Sequence, residues 1–149
     1  MKMKRTGLCK ATPETIWNTC FHSVEGWPAW DPDMRAVTDA SGPCETGTTM
    51  TFHMNDGGKF AMRCENVVQN RRLEFKGGFL LGLAGALGTI ELEPTPSSTS
   101  DSPETRVTYS FGLTGMAGNV FGWINRKPIE RGTEDGLANI VAMSESAQK

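Results

Sequence analysis

Strict alternation of apolar and polar residues through the middle of this chain limits what it can fold into. In TTMTFHMN, Met50, Phe52 and Met54 alternate with Thr51, His53 and Asn55, and in KFAMRCENVV, Phe60, Met62 and Cys64 alternate with Ala61, Arg63 and Glu65. RRLEFKG sets Leu73 and Phe75 against Arg72, Glu74 and Lys76, and GTIELEP sets Ile90 and Leu92 against Thr89, Glu91 and Glu93. RVTYSFGL sets Val107, Tyr109, Phe111 and Leu113 against Thr108, Ser110 and Gly112; MRAVTDA is a shorter strand-like segment. A period of two sends successive side chains to opposite faces of a strand. One apolar and one polar face predict an antiparallel sheet wetted on one side. NDGGK and QNR suit hairpin turns. TPSSTSDSPET, residues 95–105, reads as a long polar hairpin loop and not a domain boundary, because alternation resumes at once.

Such a sheet must bury its apolar face against another element. ATPETIWNTCFHS predicts a helix start, with Thr12 as N-cap, Pro13 at the first helical position and Glu14 near the positive end of the helix dipole. Ile16, Trp17, Cys20 and Phe21 then share a face. VEGWPAWDPD, interrupted by Pro28 and Pro32, predicts a short apolar helix or turn. From Pro128 onward, Ile129, Thr133, Gly136, Leu137, Ile140 and Ser144 fall on one helical stripe. This terminal helix is the only segment long enough to cover the sheet. GMAGNVFGWINRK, just before it, is either a separate helical turn or an extension of the same helix. The 149 residues amount to a single α+β domain, residues 1–149.

Several function classes recede on composition and spacing. GGFLLGLAGALG, residues 77–88, carries no charge and five glycines, yet Lys76 and Glu91 flank it too closely for a spanning helix. It lacks the lysine and hydroxyl of a P-loop and the spacing of a dinucleotide-binding turn. A net charge of −2 argues against a nucleic-acid partner. Cys9, Cys20, Cys44 and Cys64 show no metal-ligand spacing and read as buried free thiols of a reducing cytoplasm. His22 and His53 are the only histidines, so no multi-histidine metal site is expected, and no metal or cofactor is assigned. MKMKRTGLCK lacks the apolar core of a secretory signal. The expected location is cytoplasmic, without a membrane span.

The order of elements resembles the helix-grip fold of the START-like superfamily (SRPBCC), which includes the polyketide cyclase/dehydrase and birch pollen allergen families. The residues carrying the match are ATPETIWNTCFHSVEGWPAWDPDM, GGFLLGLAGALGTIELEP and YSFGLTGMAG…GLANIVAMSE. The resemblance implies a curved antiparallel sheet of about six to seven strands wrapped around a long C-terminal helix, with two short helices after strand 1. It also implies a cavity between sheet and helix. Gly77, Gly78, Gly82, Gly85 and Gly88 would then lie where strands bend across that cavity, since glycine within a strand marks a bend or a close approach.

The expected site follows. Large inward side chains face a helix stripe kept small by Gly132, Thr133 and Gly136, which predicts an enclosed apolar space with Phe52, Met62, Phe75, Tyr109 and Phe111 on its sheet side. By the resemblance, Trp27 stands near the cavity mouth, and Asn119 and Trp123 near its other end. His53, Arg63, Glu65, Glu74 and Glu91 share the opposite parity and are expected to face solvent; a bulge would reverse that. The leading expectation is a carrier that binds a small hydrophobic or aromatic molecule. The alternative is a metal-free cyclase or aromatase acting on a polyketide-like chain, with Tyr109 as proton donor. A protein–protein adaptor has no motif in support, and the sequence does not specify an oligomeric state.

Overall fold

The computed structural model describes residues 1–79 and 83–149. Among these residues, β1 (Lys2–Cys9), β2 (Met34–Thr38), β3 (Thr49–Met54), β4 (Lys59–Val68), β5 (Arg72–Phe79), β6 (Ala84–Pro94) and β7 (Thr105–Thr114) form one curved sheet. Its order is β1-β7-β6-β5-β4-β3-β2, antiparallel throughout. Strands β2 to β7 form a meander, and the first strand returns to pair with the last, Lys2 opposite Gly112 and Cys9 opposite Thr105.

Two short helical segments follow β1. Helix α1 (Pro13–Ile16) begins as expected, with Thr12 Oγ1 accepting the Thr15 N–H at 3.1 Å. It runs into a π-helical turn, Trp17–Phe21, in which the His22 N–H reaches the Trp17 carbonyl at 2.9 Å. The wider turn still buries Trp17, Cys20 and Phe21. A 3-10 turn, Val24–Ala29, completes the segment. At the C-terminus, α2 (Gly115–Ile124) and α3 (Arg126–Gln148) are separate helices broken at Asn125. Pro128 lies in the first turn of α3, where its missing N–H would have had no intrahelical acceptor.

Helix α3 lies across the apolar face and buries Thr133, Gly136, Leu137, Ile140 and Ser144. Arg5 of β1 holds its flank through Glu134 at 3.1 Å and Glu130 at 3.6 Å. The Asn139 amide donates to the Trp30 carbonyl at 3.1 Å. Beneath it, Trp27 packs on Phe75, Trp30 and Phe52 with centroids 5.4, 5.9 and 5.9 Å apart. Contacts of this kind add about 0.5–1.5 kcal/mol each beyond area burial. All four cysteines are free and buried. Among the described residues no helix is long and apolar enough to cross a membrane.

The glycine-rich run has a local explanation. A Cβ at Gly88 would stand 2.0 Å from Cζ of Phe75, and one at Gly77 would stand 2.2 Å from the Ala61 carbonyl oxygen and 2.5 Å from Sδ of Met62. The space at these two glycines is taken by neighbouring side chains and backbone. Gly82 lies outside the described residues. The bulge in β4 falls between Glu65 and Val68, with Asn66 in the left-handed region at φ 49°. It comes after Arg63 and Glu65 and so leaves their parity intact.

Candidate functional site

Between the inner face of the sheet and the first half of α3 lies a cavity of about 360 Å³. Phe52, Met62, Phe75, Tyr109 and Phe111 form its sheet wall, and Ile129, Gly132 and Thr133 its helix wall. The Thr133 hydroxyl donates to the Ile129 carbonyl at 2.8 Å, so its proton is already committed within the helix.

The cavity is open to solvent, contrary to the enclosed space expected from the sequence: its mouth carries the exposed loop residues Asp33, Asn55 and Asp56 together with the exposed Phe121 of α2 and Pro128 of α3. Asp31 and Asp33 come from the corner before β2, and Asn55 and Asp56 from the β3–β4 turn. Two hydrogen bonds tie these segments together, from the Asn55 N–H to the Asp33 carbonyl at 3.0 Å and from the Asn55 amide to the Pro32 carbonyl at 2.7 Å. These two segments of the mouth are therefore joined by neutral hydrogen bonds to backbone carbonyls and not by charge pairing.

Its electrostatics are one-sided. Burial pushes the Asp31 carboxyl up to about 6, the Asp33 N–H bonded to it at 3.0 Å pulls it back down, and the Asp33 charge adds to the rise. The Asp33 carboxyl is raised by burial and by the charges of Asp135 and Asp56. It lies against α3 where glycine leaves room, since a Cβ at Gly132 would be 2.3 Å from Asp33 Oδ2. Tyr109 is 4% exposed. Burial, then Asp31 and Asp33, hold its pKa well above the ordinary value. Among the described residues its hydroxyl has no hydrogen-bond partner, although the residue borders the cavity. A buried tyrosine hydroxyl ordinarily finds one. Among the described residues no lysine, arginine or histidine lines the cavity.

Six of the ten residues expected at the site border this space: Phe52, Met62, Phe75, Tyr109, Phe111 and Thr133. The other four lie elsewhere. Trp27 is fully buried behind Phe52 and Phe75, its indole N–H bound to the Phe21 carbonyl at 3.1 Å. Gly136 is packed, with a Cβ there 3.1 Å from the Tyr109 ring. Asn119 accepts a hydrogen bond from the amino group of Met1 at 2.9 Å. Trp123 is 75% exposed on α2, a helix that turns Gly118 and Gly122 inward and Met116, Val120 and Ile124 outward.

The sequence reading missed Asp31, Asp33 and Asp56. Its available signal was DPD, two carboxylates set into the aromatic stretch between Trp30 and Met34. His53, Arg63, Glu65, Glu74 and Glu91 do not border the cavity. Arg63 and Glu65 pair at 3.4 Å beside a separate, more open trough of about 810 Å³, and Glu65 also meets Lys76 at 3.3 Å.

A curved antiparallel sheet closed over a long C-terminal helix, with an apolar cavity between them, defines a helix-grip protein. Residues 2–145 match the family model described as polyketide cyclase/dehydrase and lipid transport, and the chain belongs to that family. Similar solved structures include the Zhui aromatase/cyclase from Streptomyces sp. R1128, with TM-score 0.75 and 13% identity over 100% of this chain and 96% of that one. A hypothetical protein from Helicobacter pylori gives TM-score 0.75 and 12% identity over 97% and 88%. An uncharacterised protein from Bacillus thuringiensis gives 0.68 and 17% over 95% and 97%. At these identities the structural likeness establishes the fold alone. No curated protein is detectably similar in sequence.

Proposed function

We propose that this protein binds a small hydrophobic or aromatic molecule in the cavity between the sheet and α3. The observation that carries the reading is the cavity itself, about 360 Å³ walled by Phe52, Met62, Phe75, Tyr109 and Phe111. That size falls within the range of small-molecule sites, which are mostly apolar with a few placed polar groups. The test is titration with N-phenyl-1-naphthylamine, a neutral dye that fluoresces in apolar surroundings. Thr133→Leu extends a side chain into the cavity and should weaken dye binding by about tenfold, worth about 1.4 kcal/mol. Trp123→Ala, distant from the cavity, should leave it unchanged. Equal binding by the wild type and a folded Thr133→Leu protein would place the dye elsewhere.

A second reading, a cyclase or aromatase acting on a polyketide-like chain, has one specific observation in its favour. Asp31, with a pKa near 6, and Tyr109, whose hydroxyl has no partner among the described residues, border the same space. Aldol cyclisation needs a base for a carbon-bound proton and a donor for the ketone oxygen, and efficient general bases have pKa values near the working pH. Two features rank this reading second. The raised pKa of Tyr109 makes it a poor acid, and carboxylates around the mouth oppose the negative charge of an enolate. Incubation with a reactive poly-β-ketone thioester tests it. The expected result is a ring product absent without protein and lost in Asp31→Asn; unchanged product ratios would remove the reading.

A further inference from the structure

We infer that the ligand is an amphipathic cation, a hydrophobic amine whose apolar body fills the cavity and whose ammonium group sits at the aspartate-lined mouth. This rests on the cavity reading above and specifies the chemistry of its occupant.

Four observations converge on a cation. First, Asp31, Asp33 and Asp56 border the mouth, while among the described residues no lysine, arginine or histidine lines the cavity. Asp31 is half-buried and Asp33 and Asp56 are exposed, so three like charges meet at the rim, and an arriving opposite charge relieves their repulsion. Second, the Asp33 carboxylate rests against α3 at Gly132, where a Cβ would stand 2.3 Å from Oδ2 and turn the side chain from its present position. Third, the Tyr109 hydroxyl, on a residue 4% exposed, reaches the cavity without a partner among the described residues. A phenol oxygen can accept a hydrogen bond from an ammonium as well as donate one to a carbonyl. Fourth, the cavity walls are largely aromatic, with Phe52, Phe75, Tyr109 and Phe111 among them. Aromatic faces attract cations, more so when desolvated.

A metal ion fits less well. Among the described residues no group of three histidine, cysteine, aspartate or glutamate side chains is arranged to hold one. An anionic amphiphile such as a fatty acid would place its carboxylate beside the aspartates with no countercharge. A neutral hydrocarbon would fill the walls but make no use of the carboxylate charge or of the Tyr109 hydroxyl.

The test compares three ligands of one shape by calorimetry on the full chain at pH 7.5: 2-(1-naphthyl)ethylamine, neutral 1-propylnaphthalene and anionic 1-naphthaleneacetate. The amine should bind about tenfold tighter than the neutral compound, and the anion should bind weakest. Asp31→Asn and Asp33→Asn should each lower amine affinity and leave the neutral compound unaffected, with thermal melting confirming that both variants fold. The comparison within the wild-type protein needs no variant. Equal affinity for amine and neutral compound, or a preference for the anion, overturns the cation assignment and leaves the cavity reading standing. Failure of all three ligands and of the neutral dye overturns both.

Discussion

Burial raises the Asp31 carboxyl to about 6, so the folded protein holds that proton more tightly than the unfolded chain. A raised carboxyl pKa costs stability as pH climbs from its ordinary value near 4 through about 6, and the full cost is present above that window. The charges facing this corner, Asp33, Asp56 and Asp135, have the same sign, and Tyr109 remains protonated. Asp31→Asn keeps an oxygen for the Asp33 N–H and removes the charge. It should raise stability at pH 7.5 by roughly 1–2 kcal/mol and give no gain at pH 3.5, as read by urea denaturation at both pH values. An equal effect at both would show that charge is not the cause. Gly88 is a second single-residue test. A Cβ there would overlap the Phe75 ring, so Gly88→Ala should destabilise by about 1–3 kcal/mol. Gly88→Ala combined with Phe75→Leu should recover part of that loss in a double-mutant cycle, and strict additivity would deny the contact.

At the scale of elements, the strands were legible because their signal is local. Alternation in β3, β4, β5 and β7 matches burial of Phe52, Met62, Phe75 and Tyr109, and the α3 stripe Thr133, Gly136, Leu137, Ile140 and Ser144 is buried as patterned. Other features could not be read from periodicity. The small residues of α3 gave one signal with two causes: Gly132 and Thr133 border open space, Gly132 beside the Asp33 carboxylate, whereas Gly136 admits the Tyr109 ring. Only the path of neighbouring chains separates these cases. The acidic mouth was hidden for a similar reason, since Asp31 and Asp56 lie 25 positions apart in the sequence and meet through the contact of Asn55 with Pro32. Helix α2 reverses the usual arrangement, with glycines inside and Met116, Val120, Trp123 and Ile124 outside. Trp17, Trp27 and Trp30 are at most 1% exposed, against 75% for Trp123. Iodide should therefore quench one tryptophan component of the fluorescence, and Trp123→Ala should abolish that component while changing stability by less than about 0.5 kcal/mol. Quenching that survives the substitution would mean the buried cluster is open to solvent.

Across the whole molecule, sheet, α3 and the β2 corner make a cavity that no single element contains. Its walls are mostly apolar and its mouth is acidic; on the proposed reading, shape and charge together select the ligand. Three methionines, Met34, Met54 and Met62, border this space, while Met116 stands 86% exposed on α2 and Met143 does not border the cavity. Methyl NMR of the methionine-labelled protein during titration with N-phenyl-1-naphthylamine therefore reports where a hydrophobic molecule binds. Saturable shifts at Met34, Met54 and Met62, with Met116 and Met143 unmoved, are the predicted result. Shifts confined to Met116, or none at saturating dye, would contradict a ligand site between the sheet and α3.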